Sequence, residues 1–282
     1  MKEETPKENP SPGCAAPAIQ AKPCKEMLEV KEEEKPSRDH RLARFWSSTT
    51  MWVWALLPVL LAVGGSIGFW TVYVMAVANG SVNITEAFPY ISTCGSYPPQ
   101  SCIFGQVLNI GASLGVVICY LKYQQLRDYG CNSYLNLAGL ISGLLCALGS
   151  SVVGNFQQYN QLETHLFGAF LAFVVGILYF WIQAILTCRM KPRHGGSWIG
   201  PLRFGLSACG TVLLIATIVL FNLELDSESA YCEWALAMDL FLLFGLFAVD
   251  FWHVDSCSVY VQYRMMNRET LNIQASTQTL PL

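Results

Sequence analysis

The chain has 282 residues, of which 53% are apolar and 13% are charged, about half the charged fraction of an ordinary soluble domain. A net charge of −3 without a basic patch at helical spacing argues against nucleic-acid binding, and 11 cysteines dispersed in mostly apolar runs argue against a secreted disulfide scaffold. The composition predicts an integral membrane protein.

The chain begins with a polar segment, residues 1–50, which we expect to be a disordered cytoplasmic tail. It holds 9 of the 17 Lys and Arg residues and 9 of the 20 Asp and Glu residues, together with six prolines. Its few large apolar side chains cannot bury enough surface to offset the entropy of ordering. The first apolar stretch follows this segment and is too long for the apolar region of a signal peptide, so none is expected.

Six apolar stretches of membrane-spanning length follow the tail. A hydrocarbon core of about 30 Å needs roughly 20 helical residues, and the absence of period-2 alternation argues against a membrane β-barrel. The predicted fold is therefore all-α, a six-helix transmembrane bundle within residues 51–255, with a cytoplasmic tail at residues 256–282. The predicted spans are 52–77, 103–121, 135–153, 166–187, 204–221 and 232–250.

Basic residues lie on one side of the predicted spans. All 17 Lys and Arg residues lie on the side of the two termini, and twelve of them lie within about 20 residues of a predicted span, whereas the opposite loops, 78–102, 154–165 and 222–231, contain none. Because cytoplasmic loops carry the excess of Lys and Arg, both termini are predicted to be cytoplasmic. The twelve residues are Lys35, Arg38, Arg41, Arg44, Lys122, Arg127, Arg189, Lys191, Arg193, Arg203, Arg264 and Arg268.

The non-cytoplasmic segment 78–102 contains two N-glycosylation sequons, which begin at Asn79 and Asn83. Both lie in the compartment where glycosylation takes place, which makes the pattern more informative than it is alone. Asn79 follows the first span closely, where a modifying enzyme has little access. Asn83 is therefore the favoured glycosylation site.

The same segment contains Cys94 and Cys102, separated by seven residues that include a glycine and a Pro-Pro pair. These residues favour a turn that brings the two sulfur atoms within bonding distance, and the compartment is oxidising. We therefore expect a Cys94–Cys102 disulfide. Cys232, at the outer end of the sixth span, is the competing partner.

Small residues recur four apart in the predicted helices, as at Gly64 and Gly68 or at Gly111 and Gly115. Such faces allow helix backbones to approach each other closely within a membrane. We expect them to pack helices together in a compact bundle without a wide aqueous pore.

Acidic residues within the apolar stretches occur only in the sixth span. Glu233 and Asp250 lie near its two ends, and Asp239 is the one deep carboxylate. Ionisable groups at membrane depth often mark transport pathways. The alternative is a packing residue that is protonated or hydrogen-bonded to an amide such as Asn109.

No enzyme signature is found in the sequence. Phosphate-binding loops, nucleophile elbows and zinc-binding HExxH motifs are absent, and the four histidines are scattered. We therefore expect neither catalytic residues nor a cofactor or metal.

In the predicted tail at residues 256–282, Tyr263 and Met266 form a Tyr-x-x-apolar motif of the kind that endocytic adaptors bind.

Several short strings of residues resemble the damage-regulated autophagy modulator family, in its transmembrane-protein-150 branch. The resemblance covers about residues 51–260, and the amino-terminal extension departs from the family pattern. The strings are Pro89-Tyr90-Ile91-Ser92, Cys94-Gly95-Ser96, Pro98-Pro99-Gln100-Ser101, Tyr123-Gln124-Gln125-Leu126-Arg127-Asp128, Gly154-Asn155-Phe156-Gln157, Trp198-Ile199-Gly200-Pro201-Leu202-Arg203 and Cys232-Glu233-Trp234.

This resemblance implies a six-pass protein of the plasma membrane, endosomes, lysosomes and autophagosomes that modulates macroautophagy and cell survival without catalysis. The partners it implies are membrane lipids and membrane or cytoplasmic proteins of the autophagy and endosomal system. Relatives of the family leave three alternatives open: an ion channel or channel subunit, a membrane scaffold for a phosphoinositide kinase, and a lipid-remodelling enzyme.

Overall fold

The computed structural model describes residues 38–130, 133–189 and 196–252, with side chains from residue 54 onward. Within these residues all regular secondary structure is helical, as predicted. The first helix begins at Arg38, inside the stretch expected to be a tail, and residues 38–50 contain neither proline nor glycine to interrupt it. The described residues do not include the rest of the predicted amino-terminal tail. They also do not include the predicted tail at residues 256–282, in which Tyr263 and Met266 lie.

Six helical segments of the described chain are long and apolar enough to span a membrane, which confirms the predicted number. The fourth span is continuous but contains a π-helical segment between two α-helices, and a short helix extends the sixth span. The helices are α1 (Arg38–Ala78), α2 (Ile91–Cys94), α3 (Gln100–Asp128), α4 (Tyr134–Asn155), α5 (Leu162–Ala169), the π-helix (Phe170–Val175), α6 (Gly176–Arg189), α7 (Ile199–Asn222), α8 (Asp226–Gly245) and α9 (Phe247–Phe251).

The turn between α3 and α4 shows how the chain ends one span and starts the next. Gly130 has a φ of 79°, a conformation that favours glycine, and it follows the last turn of α3. Ser133 then caps α4, because its hydroxyl accepts a hydrogen bond from the Asn136 amide at 3.3 Å. These two residues make α3 and α4 an antiparallel pair of neighbouring spans.

Close helix contacts depend on glycines in α4 and α5. A Cβ atom added to Gly149 would lie 2.6 Å from both the Gly168 carbonyl oxygen and the Ala172 nitrogen. A Cβ atom added to Gly143 would lie 2.5 Å from Cys119 Sγ. At Gly149 a small residue allows two backbones to approach closely, and at Gly143 it makes room for a side chain of α3. Three of the glycines that the sequence predicted to pack helices behave differently, because no close contact is made at Gly64, Gly111 and Gly115.

Apolar side chains form two main clusters at opposite ends of the bundle. We call the end that carries residues 79–99 the loop end, where Phe69, Phe104 and Trp234 are buried together. At the opposite end, Tyr179 and Phe247 belong to a cluster of buried side chains from several spans. Aromatic rings therefore fill both ends of the membrane domain.

Replacing Gly149 tests the importance of the close contact between α4 and the fourth span. Gly149→Val should lower the free energy of unfolding by about 1–3 kcal/mol, because the new side chain meets backbone atoms that cannot move aside. Gly205→Val is the matched control, since a Cβ atom at Gly205 has nothing within 4 Å. Denaturant unfolding of the purified protein in detergent measures both, and equal losses would contradict this account of the contact.

Candidate functional site

The two predicted glycosylation residues differ in what they bind. The Asn79 side-chain nitrogen donates a 2.7 Å hydrogen bond to Oε1 of Gln100, a buried side chain of α3. Asn83 is exposed, and its hydrogen bonds are made locally to Thr85 and Glu86. A glycan attaches through the side-chain nitrogen, so this arrangement agrees with the choice of Asn83, and its modification stays a prediction.

The loop end is closed by residues 88–91, which pack on the start of α8. The Ile91 amide donates to Glu233 Oε2 at 3.1 Å, and the Trp234 indole nitrogen donates to the Pro89 carbonyl oxygen at 3.1 Å. The Phe88 ring stacks on Tyr231 with ring centroids 4.3 Å apart. Backbone groups that would otherwise need water are therefore satisfied by α8.

Tyr90, in this same segment, reaches α8 through its hydroxyl group. The hydroxyl donates a 3.3 Å hydrogen bond to Asp226 Oδ1. Partial burial is the main cause that raises the pKa of Tyr90 above its usual value, and the Asp226 carboxylate adds to the effect. The hydroxyl therefore keeps its proton at neutral pH and acts as a donor.

Cys94 and Cys102 are both free thiols, so the predicted disulfide is not formed in the structure and stays a prediction. Cys94 is buried at the end of α2, whereas Cys102 is exposed in the first turn of α3. Burial raises the pKa of the Cys94 thiol to about 12, with a further contribution from the Glu233 carboxylate. At neutral pH Cys94 is therefore a protonated thiol, which is a poor nucleophile.

Asp239 lies in α8 and is 8% exposed. It faces α7, where a Cβ atom added to Gly210 would come within 2.7 Å of Asp239 Oδ2. Within the described residues, this oxygen has no hydrogen-bond partner.

The suggested pairing of Asp239 with Asn109 is wrong. Asn109 in α3 instead exchanges hydrogen bonds of 3.0 and 3.1 Å with Asn155 in α4. Asn109 Oδ1 also accepts a 2.7 Å hydrogen bond from the Ser151 hydroxyl, which lies in α4 like Asn155. The hydrogen bonds of the Asn109 side chain are therefore made to α4, the neighbouring span, and not to Asp239 in α8.

A buried ionic cluster lies at the end of the bundle opposite the loop end. Asp250 Oδ2 accepts hydrogen bonds from Lys122 Nζ at 2.8 Å and from Arg203 Nη2 at 2.6 Å. All three residues are at most 1% exposed. We call them, together with Gln125 and Thr187, the Asp250 cluster.

Polar neighbours extend the Asp250 cluster, in which Asp250 Oδ1 and Arg203 Nε have no hydrogen-bond partner among the described residues. Gln125 accepts from Lys122 at 3.0 Å and donates to the Asp250 carbonyl oxygen at 2.8 Å. Arg203 Nη1 donates to Thr187 Oγ1 at 2.7 Å. The Phe247 ring lies 5.1 Å from the guanidinium carbon and 5.8 Å from Lys122 Nζ, within the range of cation–π attraction. The cluster therefore connects α3, α6, α7 and α9.

Sequence reasoning missed this cluster because it treated Lys122 and Arg203 as loop charges and Asp250 as an interfacial one. The predicted spans ended at residue 121 and began at residue 204, whereas α3 and α7 extend beyond both positions. One signal was available: all three residues lie on the same predicted side of the membrane. Two cations and one anion near the same end of the spans could have suggested ion pairs among them.

The chemistry that the cluster supports is helix–helix attachment. Its charged atoms are enclosed by protein, and each cation also contacts the Phe247 ring, so the groups bind one another. Among the described residues, no group of three or more His, Cys, Asp and Glu side chains is placed to hold a metal ion.

Removing the shared anion should be more damaging than removing one cation. Asp250→Ala leaves two buried positive charges without their counter-ion, and we expect the free energy of unfolding to fall by about 3–5 kcal/mol. Lys122→Met keeps the Arg203–Asp250 pair and should cost less. Asp128→Ala, an exposed acidic residue at the end of α3, is the control. Unfolding in mixed detergent micelles measures all three, and a larger loss for Lys122→Met would refute the shared-anion arrangement.

Comparison with known proteins places these features in a family. Residues 53–254 match the model described as the Frag1/DRAM/Sfk1/Cwh43P N-terminal domain. Modulator of macroautophagy TMEM150B of Xenopus tropicalis is 58% identical over 230 residues, which are 82% of this chain and 99% of that protein. Its Homo sapiens counterpart is 55% identical over 215 residues, covering 75% of this chain and 92% of the relative.

A more distant relative, transmembrane protein 150A of Xenopus laevis, is 34% identical over 231 residues, which are 72% of this chain and 85% of that protein. No solved structure matches the chain at a significant level. The resemblance inferred from short strings of residues is therefore confirmed, and within the transmembrane-protein-150 branch the similarity is greater to the B member than to the A member. The chain belongs to the Frag1/DRAM/Sfk1 family of membrane proteins.

Proposed function

We propose that this chain is a multi-pass membrane modulator of macroautophagy and cell survival that acts without catalysing a reaction. The observation that carries the proposal is the match to relatives named modulators of macroautophagy, which extends over 99% of the Xenopus tropicalis protein. Identity above half over nearly a whole chain supports a shared role, because it includes the loops as well as the spans.

Support for a non-catalytic role comes from how several polar groups of the spans are used. Asp250 binds two cations, and Glu233 accepts a hydrogen bond from the backbone of Ile91. Asn109 and Asn155 bind each other. These groups hold helices and the loop end in position, which suits a protein that acts through its lipid and protein contacts.

The proposal includes an orientation and a location. Both termini would lie in the cytoplasm, and the loop end would face the lumen or the cell exterior, in the membranes of the cell surface, endosomes, lysosomes and autophagosomes. The one-sided distribution of Lys and Arg in the sequence supports this orientation. The partners would be membrane lipids and proteins of the autophagy and endosomal system.

Glycosylation tests the orientation directly. Asn83→Gln should remove a glycan that glycosidase also removes from the wild-type protein, because glycans are added only on the luminal side. Asn79→Gln is the matched control and should leave the glycan in place, since the Asn79 side-chain nitrogen is bound to Gln100. Gel mobility with and without glycosidase is the measurement. A glycan added to a sequon engineered after residue 270 would contradict a cytoplasmic carboxyl terminus.

Autophagic flux tests the function. Loss of the protein should change the turnover of a lipidated autophagosome marker in starved cells, and re-expression of the wild-type chain should restore it. Asp128→Ala should rescue as the wild type does, whereas Asp250→Ala should fail because the bundle loses its buried ion pairs. Unaltered flux after loss of the protein, in both fed and starved cells, would refute the proposed function.

A further inference from the structure

A cavity of about 300 Å³ lies inside the bundle. Its walls come from α1, α3, α4, α5 with the π-helix, and α8, and residues of α2 close it at the loop end. Apolar side chains make up most of the lining, with Leu61, Phe104 and Phe241 among them. The volume is at the lower end of the range for small-molecule sites, so it suits one compact apolar body.

Three of the glycines that line the cavity do not approach another helix closely, and they leave room for it. A Cβ atom added to Gly64 would have nothing within 4 Å, and the nearest atoms to added Cβ atoms at Gly111 and Gly115 lie at 3.7 and 3.8 Å. At Gly149, by contrast, an added Cβ atom would overlap backbone atoms. Gly64, Gly111 and Gly115 therefore leave a space instead of closing a contact, whereas the neighbouring Gly65 is in close contact with Phe241.

Polar groups of the cavity lie at its loop end. His165 lines the cavity and is 4% exposed. Its Nδ1 lies 2.7 Å from the Phe156 carbonyl oxygen, so this nitrogen carries the proton, and Nε2 of the neutral ring is left as an acceptor. Glu233 Oε2 accepts a hydrogen bond from the Ile91 backbone amide, and this carboxylate also lines the cavity. Both side chains offer acceptors to a hydrogen-bond donor.

The cavity reaches the lipid-facing surface between α1 and α3. Two of its lining residues, Leu60 and Ile110, are 57% and 52% exposed, and Gly64, which also lines it, is exposed as well. At this depth the surroundings of a six-span bundle are acyl chains. A ligand can therefore enter from the membrane without crossing water.

We propose that this cavity binds a membrane lipid with a single apolar body and a hydroxyl head, with the hydroxyl donating its one proton to His165 Nε2 at the loop end, where Glu233 is the other acceptor. Two sources share this chemistry: a sterol and a monoacylglycerol. Phospholipids fit less well, because α2 closes the polar end and a phosphate group would be repelled by the Glu233 carboxylate there. The site is independent of the proposed role in autophagy, since it depends only on the cavity and its polar end.

Photolabelling of the full chain in phosphatidylcholine nanodiscs tests the site. Three diazirine probes are compared: a sterol, a monoacylglycerol and a phosphatidylcholine. Gly111→Leu should abolish most labelling by whichever hydroxyl lipid binds, because its side chain occupies the cavity. Gly205→Leu is the matched control on α7, outside the cavity, and should label as the wild type does. Labelled peptides should come from α1, α3 or α8.

The head group is tested by His165→Asn, which retains a donor for the Phe156 carbonyl oxygen but lacks Nε2. The concentration of unlabelled hydroxyl lipid that halves the labelling should rise about three- to tenfold, the effect expected from one lost hydrogen bond. The methyl ether of the same lipid should compete poorly with the wild-type protein. Thermal unfolding of each variant shows that the bundle is intact.

Three outcomes would overturn the proposal. The first is undiminished labelling of Gly111→Leu, and the second is equal competition by the lipid and its methyl ether. The third is labelling of the cavity peptides by the phosphatidylcholine probe as strongly as by either hydroxyl lipid. Preference for the sterol or for the monoacylglycerol identifies the source of the hydroxyl.

Discussion

The burial of Asp250 against two cations is the interaction on which the arrangement of the spans depends. An ionised carboxylate in an apolar medium is strongly unfavourable unless partners bind it closely. Lys122 and Arg203 meet this requirement from α3 and α7, and the excess positive charge is shared with carbonyl oxygens and the Phe247 ring. Since any displacement of one helix would expose an unpaired charge, the cluster sets the relative positions of these spans.

The loop end is held together by different chemistry. Backbone amides and carbonyls of residues 88–91 bind side chains of α8, and aromatic rings stack beside them. Each such contact is modest, about 0.5–1.5 kcal/mol for a hydrogen bond. One end of the bundle is thus fixed by charge and the other by many weaker contacts. Between them, small residues leave the interior incompletely filled around Gly111 and Gly115.

The sequence predicted the features that local composition determines. Runs of apolar residues indicate the six spans, and short strings indicate the family, because neither depends on what lies opposite. The Asp250 cluster was missed because it joins residues 122 and 250, whose proximity depends on how the spans assemble. Gly111 and Gly149 show the same limit: both are small residues in apolar helices, yet one faces a cavity and the other a backbone. Only the neighbouring helix distinguishes them.

The π-helical segment in the fourth span has a consequence for how that span can change. A π-turn accommodates one more residue than an α-turn, so it alters the angular phase of everything that follows by about 100°. Before it, His165 faces the loop end of the cavity; after it, Thr187 meets Arg203. Deleting a single residue within Phe170–Val175 would rotate these two positions relative to each other, even though the span kept its length and apolarity. The fourth span is therefore constrained in residue number and not only in composition.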